Sequence, residues 1–193
     1  MTPQVKPWIS PEEYLEFEKT SEGRHGYHDG EMFAMSGGTI PHSVIGFNVG
    51  REAGNRLKDG CTVAGFDARV HIETSGLFTY PDVVIFCGPA KTSKPGGSLL
   101  NPKIIFEVLS KSTERYDRGE KFESYRKSAS LEEYILVSQW DFAIDQFRRN
   151  EAGRWELTEI RGQDNVLEIP SVQIAIPLKQ IYKGVDFALA NEE

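Results

Sequence analysis

Two acidic residues occupy positions at which acidic side chains are rare. Asp82 follows a proline at the start of the run Y-P-D-V-V-I-F, and Glu107 interrupts the apolar run I-I-F-E-V-L. Carboxylates are seldom fully buried unless a cation pairs with them, because an unpaired ionised group would take up a proton instead. If the two runs are neighbouring strands, both acids can meet at one end of a sheet, where oxygen ligands at about 2.0 to 2.1 Å suit Mg²⁺.

The residues that follow Glu107 supply a cation. Asp117 and Lys121 are four residues apart on a predicted helix, so they share one face, and Tyr125 continues the row. Each feature alone has a simpler explanation: Asp82 as a strand-entry residue, Glu107 as a solvated strand end, and Asp117 with Lys121 as a surface ion pair worth about 0.3 to 0.5 kcal/mol. Together they form a recognisable pattern.

That pattern resembles a known family. Y-P-D is followed by E-V-L-S-K-S-T-E-R-Y-D-R-G-E-K, with D-G-E-M-F-A-M-S-G-G before it and E-Y-I-L-V-S-Q after it. These motifs resemble the bacterial family of putative restriction endonucleases with the PD-(D/E)xK nuclease fold, over about residues 10 to 185. The resemblance implies an α/β, restriction endonuclease-like fold, in which a mixed central β-sheet is flanked by helices and preceded by a helix and a hairpin. We expect one domain over residues 1–193, with its core at about 10–185.

The resemblance also implies the roles of the central residues. A lysine usually stands two residues after the second acid, where this chain has Leu109, and the resemblance implies that the lysine has migrated to the helix as Lys121. Mg²⁺ (or Mn²⁺) held by Asp82, Glu107 and the backbone carbonyl of Val108 would lower the pKa of a bound water and clamp a phosphate oxygen of DNA. Lys121 would orient the water or stabilise the developing charge.

Three further residues are supporting candidates near these groups. Asp117 is expected to hold Lys121 in position. His42 matches a histidine of the family at a helix start and is expected to face the metal or a phosphate, with a simple polar helix-start residue as the alternative. Glu31 or His25 is a candidate to replace an acid that the family carries at the position of Gly26, although a surface hairpin without such a role explains Glu31 equally well.

Asp67 and Arg69 in F-D-A-R-V also match the family. On a continuous strand they would point to the same face and border the site. A cross-strand ion pair is the simpler explanation for both residues.

The elements that must position these residues follow from capping signals and apolar periodicity. Ser10-Pro11-Glu12-Glu13 predicts a helix through about Lys19, and Asp29-Gly30 predicts a hairpin turn. The remaining predicted elements are a helix from Pro41 or His42 to about Leu57, in which Phe47 is one of the apolar residues at helical spacing, and strands at about 61–72 (with Phe66 in the alternating apolar set), 78–87 and 103–109. They are followed by a helix at 114–127, strands at 131–137, 142–149, 155–160 and 166–168, and a capped turn at 177–182.

Composition limits the possible classes of protein. A formal net charge of -7 does not favour nonspecific nucleic-acid binding, so a nucleic-acid role requires a local site, with metal ions to offset the acidic field. The chain has no apolar run of the roughly 18 residues that a membrane span needs, and Met1 to Pro7 lacks a signal-peptide pattern, so we expect a cytoplasmic protein without membrane contacts. Cys61 and Cys87 are expected to be reduced core residues.

Three functions remain open at this point. The first is a Mg²⁺-dependent endonuclease that hydrolyses DNA phosphodiester bonds, expected as a homodimer because two-fold symmetry suits the cutting of two antiparallel strands. The second is a catalytically degenerate nuclease-fold protein that binds nucleic acid or protein; Gly26 and the net charge of -7 favour it. The third is a structural homo-oligomer in which a salt bridge to Lys or Arg neutralises Glu107.

Overall fold

A six-stranded mixed sheet forms the centre of the computed structural model, which describes residues 8–35, 37–94 and 97–191. The strands are β1 (His25–His28), β2 (Glu31–Ala34), β3 (Cys61–Gly65), β4 (Val70–Ile72), β5 (Leu77–Thr79), β6 (Val83–Cys87), β7 (Ile104–Val108), β8 (Glu133–Val137), β9 (Ala143–Arg149), β10 (Trp155–Arg161), β11 (Val166–Ile169) and β12 (Ile174–Pro177). The central order is β10-β9-β8-β7-β6-β3, and only β7 and β8 are parallel. Parallel neighbours need a crossover, and the chain supplies a helical one between them.

The three predicted helices are present with changed boundaries, and the predicted capped turn at 177–182 contains a short helix. The helices are α1 (Pro11–Thr20), α2 (Ile40–Gly54), α3 (Glu114–Tyr116), α4 (Phe122–Tyr125) and α5 (Leu178–Ile181). Ser10 caps α1 with a capping box to Glu13, as the sequence indicated. Among the described residues, none of the helices combines the length and apolar character that a membrane crossing requires. The signal-peptide prediction concerns Met1–Pro7, which lie outside the described residues.

The amino-terminal hairpin is confirmed and belongs to a second, four-stranded sheet of order β2-β1-β5-β4. Asp29 and Gly30 both have positive φ, at 48° and 85°, which matches the two-residue turn that this dipeptide favours. Tyr27 on β1 packs with Tyr14 of α1 and Phe78 of β5 in a small aromatic core. This second sheet and α1 place residues from the start of the chain, such as Glu18 and Arg24, along the cleft described below.

Both faces of β7 are covered, which explains the uninterrupted apolar run around Glu107. Ile104, Phe106 and Val108 belong to the core beneath α2, whereas Ile105 and Leu109 belong to the core beneath α4. Successive side chains of a strand point to opposite faces. Glu107 is therefore directed to the same face as Ile105 and Leu109, towards α4.

Two aromatic residues that belong to the predicted apolar patterns are exposed. The buried face of α2 contains Ile45, Val49 and Ala53, and Phe47 lies two positions from Ile45, so it points away and is 69% exposed. The predicted strand at 61–72 is broken into β3 and β4 by a turn in which Ala68 N–H bonds Gly65 O. Strand alternation ends at that turn, and Phe66 is 59% exposed.

The prediction that both cysteines are reduced is wrong, because Cys61 and Cys87 form a disulfide. They are register partners in the antiparallel pair of β3 and β6, so strand pairing brings together two residues that are 26 positions apart. Spacing along the chain contained no sign of this pairing. The disulfide ties the edge strand of the central sheet to its neighbour.

Reduction of this disulfide is expected to lower the free energy of unfolding by about 3 kcal/mol, because a cross-link over a loop of this length restricts the unfolded chain. Urea unfolding with and without reductant measures the difference. A Cys61→Ala, Cys87→Ala variant is the control and should not respond to reductant. Identical unfolding curves for oxidised and reduced wild-type protein would show that the bond contributes nothing to stability.

Candidate active site

Asp82 and Glu107 lie side by side at one end of the central sheet. Val83 of β6 pairs with Phe106 of β7 in antiparallel register, which places Asp82 and Glu107 at the next pair of positions. The Oδ2 atom of Asp82 accepts a hydrogen bond of 2.7 Å from the backbone N–H of Val108. The two acids from separate strands are thus held together as the sequence predicted.

Glu107 is buried with both carboxylate oxygens engaged. Its side chain is 5% exposed, and its Oε2 lies 2.9 Å from the Nζ of Lys121. The hydroxyl of Tyr125 donates to Oε1 at 2.9 Å. Burial and the charge of Glu107 raise the pKa of Tyr125 well above its ordinary value, so this hydroxyl keeps its proton and remains a donor.

Lys121 is brought to Glu107 by a π-helical turn, which interrupts the single helix that the sequence predicted. The turn Asp117–Lys121 joins α3 to α4, and its wider winding places residues four apart almost on one face. The Oδ1 of Asp117 lies 3.0 Å from the Nζ of Lys121. Tyr134 of β8 donates to the carbonyl of Asp117 at 3.0 Å and anchors the turn to the sheet.

The electrostatics of the buried cluster are dominated by an excess of carboxyl groups. Burial raises the pKa of Glu107 to about 8; Lys121 opposes the shift, and Asp117 and Asp82 add to it. Burial also raises the pKa of Asp82. Burial alone lowers the pKa of Lys121, but the charges of Glu107 and Asp117 outweigh it and raise that pKa above its ordinary value. Three carboxyl groups therefore surround one ammonium group.

His42 contacts the site from α2. Its Nε2 lies 3.5 Å from the Oδ2 of Asp82. Thr39 caps α2 by accepting the His42 N–H at 3.2 Å, and the Thr39 hydroxyl donates to Gln139 Oε1 at 2.5 Å. Gln139 is fully buried beyond the end of β8, and among the described residues its Nε2 has no hydrogen-bond partner. The quoted run E-Y-I-L-V-S-Q ends on this residue, but sequence reasoning assigned it no role.

A cleft of about 1150 Å³ leads to this end of the sheet. Its lining includes His42 and Asp82, and Phe47 and Phe66 are the two exposed rings along it. Glu107 and Lys121 lie behind Asp82 and are almost completely covered. Asp82 is therefore the acid through which the buried cluster meets solvent.

The remaining sequence candidates do not join the cluster. Asp67 lies in the turn after β3 and pairs with Arg24 at the cleft, not with Arg69. Arg69 donates to the hydroxyl of Ser98 at 2.8 Å and lies over the ring of Tyr14. The shared strand face predicted for Asp67 and Arg69 is wrong because the strand that was to align them ends at Gly65.

The amino-terminal hairpin brings no acid of its own to the cluster. Glu31 opens β2 in an exposed position, opposite His28. A Cβ atom at Gly26 would lie 3.6 Å from the carbonyl oxygen of Phe78, an ordinary van der Waals distance, so the neighbouring backbone leaves room for a Cβ there. His25 bonds Glu18 of α1 at 3.1 Å.

The donor set suits a divalent cation by its chemistry. Asp82 and Glu107 offer hard carboxylate oxygens, and the cluster carries more carboxyl groups than one ammonium group can neutralise. Among the described residues, no group of three or more His, Cys, Asp or Glu side chains is arranged to hold a metal. The proposed ligand set contains only two such side chains, Asp82 and Glu107, and its third ligand is the backbone carbonyl of Val108. The finding therefore does not concern this set.

The fold matches that of a protein of known structure. A crystal structure of a protein described as a putative nuclease belonging to DUF820, from Anabaena variabilis ATCC 29413, superposes with a TM-score of 0.74 at 16% identity, covering 90% of this chain and 97% of that one. At this identity the likeness shows the fold. The α/β architecture with a mixed central sheet flanked by helices, predicted from the sequence, is confirmed.

Sequence comparison identifies the family. Residues 11–179 match the model of the Uma2 family, described as "Putative restriction endonuclease". An uncharacterised protein of Synechocystis sp. (strain ATCC 27184 / PCC 6803 / Kazusa) is 36% identical over 182 residues, which cover 94% of this chain and 95% of the relative. A second uncharacterised protein of that organism is 29% identical over 171 residues, covering 86% and 95%. The chain belongs to the Uma2 family, which supports a nuclease-like function.

Proposed function

We propose that this protein is a metal-dependent endonuclease that hydrolyses DNA phosphodiester bonds. One observation carries the proposal: Asp82, Glu107 and Lys121, from three separate segments, meet at one end of the sheet beside an open cleft. The description of the family as restriction endonucleases and that of the structural neighbour as a nuclease support the same reaction class. A metal offsets the acidic field that would otherwise repel the phosphates of the substrate.

The residues divide into metal ligands and groups that act beside them. Asp82, Glu107 and the carbonyl of Val108 would hold Mg²⁺ or Mn²⁺. When bound, the metal lowers the pKa of water and withdraws charge from a phosphate oxygen. Lys121 supplies an ammonium group next to the acids, which can orient the attacking water or stabilise the charge that develops on phosphorus.

Asp117 is proposed to position Lys121. Glu107 can turn an oxygen towards a metal only if Lys121 releases it, and Lys121 keeps a partner in that event because Asp117 lies 3.0 Å away. The carbonyl of Asp117 is in turn fixed by Tyr134. His42, 3.5 Å from Asp82, is placed to contact a phosphate that approaches through the cleft.

Incubation of supercoiled circular DNA and of linear single strands with the protein tests this function. We expect cleavage in millimolar Mg²⁺ or Mn²⁺ and none after chelation with EDTA. Glu133→Gln is the matched control for substitution of Glu107 by Gln and should still cleave DNA. Glu133 is equally buried on the neighbouring β8, but it accepts hydrogen bonds from Gln146 and from the Ser171 N–H, away from the site. Cleavage that persists in EDTA would contradict metal dependence, and lack of cleavage of every DNA form would contradict the proposal.

A catalytically degenerate binding module is the second candidate function. The engagement of both Glu107 oxygens by Lys121 and Tyr125 favours it, since a cation already neutralises the acid. Calorimetric titration with Mn²⁺ separates the two candidates. A metal-dependent nuclease should bind Mn²⁺ at millimolar concentration or below and lose this binding in Asp82→Asn, whereas a degenerate module should show no binding heat.

A further inference from the structure

Two phenylalanine rings stand exposed along the cleft that leads to Asp82. Phe47 projects from α2 and Phe66 from the turn after β3, with exposed fractions of 69% and 59%. Scattered exposed apolar residues need no explanation. Here, however, two of the largest exposed apolar side chains come from separate elements and line the same cleft.

An arginine accompanies each ring. The guanidinium of Arg51 lies 5.7 Å from the centre of the Phe47 ring, and that of Arg24 lies 5.1 Å from the centre of Phe66. Arg51 shares the carboxylate of Glu52 with Arg56, so that group of three carries one surplus positive charge. Each guanidinium lies over one face of its ring, so a nucleotide base can stack on the other face while its phosphate meets a cation.

The part of the cleft wall between the two rings and Asp82 contains glycines, which have no side chains. Gly46 and Gly50 of α2 line the cleft, and a Cβ atom at Gly46 would lie 4.0 Å from the Cβ of Asp82. The absence of side chains there leaves a path to the acid. The cleft, at about 1150 Å³, exceeds the roughly 300 to 1,000 Å³ of typical small-molecule sites, so it can take a short stretch of strand.

The charge balance argues against recognition through phosphates alone. Glu18, Glu22, Asp67 and Asp82 line the cleft together with Arg24 and Arg51, and the whole chain has a formal net charge of -7. Affinity for a duplex rests mainly on many contacts from Lys and Arg to phosphate. Stacking on aromatic rings needs no such surplus of cations, but it requires base faces that are free, and the bases of a continuous duplex cover one another.

We propose that the cleft binds DNA through unpaired bases that stack on Phe47 and Phe66, so that the substrate class is single-stranded DNA or DNA with unpaired nucleotides. This inference rests on the proposed nuclease function and names the substrate of the same site. The two rings hold the strand while Arg51, whose group carries the surplus positive charge, contacts its backbone and Arg24 stays paired with Asp67. The strand then passes Gly46 to reach Asp82.

Fluorescence anisotropy with a labelled single strand of mixed sequence, and with the blunt duplex of that sequence, tests the inference. Glu107→Gln serves as the background so that binding is measured without cleavage. We expect the single strand to bind more tightly than the duplex. Phe47→Ala and Phe66→Ala should each weaken single-strand binding about 5- to 150-fold, which corresponds to the about 1 to 3 kcal/mol that stacking of one base is worth.

Three control variants make this result specific. Leu157→Ala removes a side chain with 53% exposure on β10 and should leave binding unchanged. Phe47→Trp and Phe66→Trp keep a stacking face and should bind at least as tightly as the background protein. Weak binding by the alanine variants alone therefore cannot be explained by disruption of the fold at these positions. Equal binding of the two DNA forms, or alanine variants that bind like the background protein, would overturn the inference.

Failure of the inference is distinguishable from failure of the proposed function. If wild-type protein cuts continuous duplex as well as single strands and the alanine variants cut equally fast, the nuclease function stands and the stacking cleft is wrong. If single strands bind in the expected pattern and no DNA form is ever cut, the stacking cleft stands and the nuclease function is wrong.

Discussion

Replacement of Glu107 by Gln is expected to lower the rate of DNA cleavage about a hundredfold or more. The amide loses the negative charge that would hold a metal, and stabilisation of transition-state charge by a metal is worth several kcal/mol, with about 1.4 kcal/mol for each tenfold in rate. Asp82→Asn and Lys121→Met should show losses of similar order. Initial rates of cleavage in Mg²⁺, normalised to folded protein, measure each effect.

Stability separates this loss from misfolding. Burial raises the pKa of Glu107 to about 8 because the carboxylate is poorly solvated beside Asp82 and Asp117. Glu107→Gln removes that unfavourable charge while Lys121 keeps Asp117 as a partner, so the variant should be at least as stable as wild type. A variant that is folded, equally stable and fully active would exclude Glu107 from the reaction.

Above pH 8, where Glu107 of the wild type is ionised, Lys121→Met should cause the largest loss of stability, about 3 to 5 kcal/mol in the free energy of unfolding. Lys121 is the cation between Glu107 and Asp117, and removal of one member of a buried ion pair leaves the other charge uncompensated. Urea unfolding followed by circular dichroism measures the change. A Lys121→Met, Glu107→Gln double variant should recover much of the loss, and equal losses in the single and double variants would contradict the role of this pairing.

The difference in the free energy of unfolding between wild type and Lys121→Met should grow as pH rises. A glutamate in the unfolded chain has a pKa of about 4.3, so a folded-state pKa of about 8 means that folded protein binds the proton more tightly and stability falls as pH rises towards 8. Lys121 lowers this pKa, so Lys121→Met should raise it further. The difference between variant and wild type should therefore widen above pH 8, as unfolding measurements from pH 7 to 10 can show.

The convergence of Asp82 and Glu107 could be predicted from the sequence because it depends on strand alternation and on proline and turn signals, which are local. The position of Lys121 on a helical face was predictable for the same reason. The π-turn that delivers it was not, since it depends on contacts such as that between Tyr134 and the carbonyl of Asp117, which are far apart in the chain.

Local sequence patterns did not show which residues pair across the sheet or in which direction single side chains point. The Cys61–Cys87 disulfide follows from strand register, which only the folded sheet defines. Phe47 and Phe66 fitted the apolar patterns that predict a helix and a strand, but those patterns do not show which members face the core. Phe47 points outward because it lies two positions from the buried Ile45 on α2. Phe66 points outward because the strand predicted at 61–72 is broken at a turn.

Anomalous diffraction from crystals soaked in Mn²⁺ tests the central claim most directly. We predict one strong peak in contact with carboxylate oxygens of both Asp82 and Glu107, with Lys121 bonded to Asp117. Crystals that bind Mn²⁺ elsewhere but show no peak between the two acids, with Glu107 still held by Lys121 and Tyr125, would contradict a metal-dependent nuclease centre at this end of the sheet.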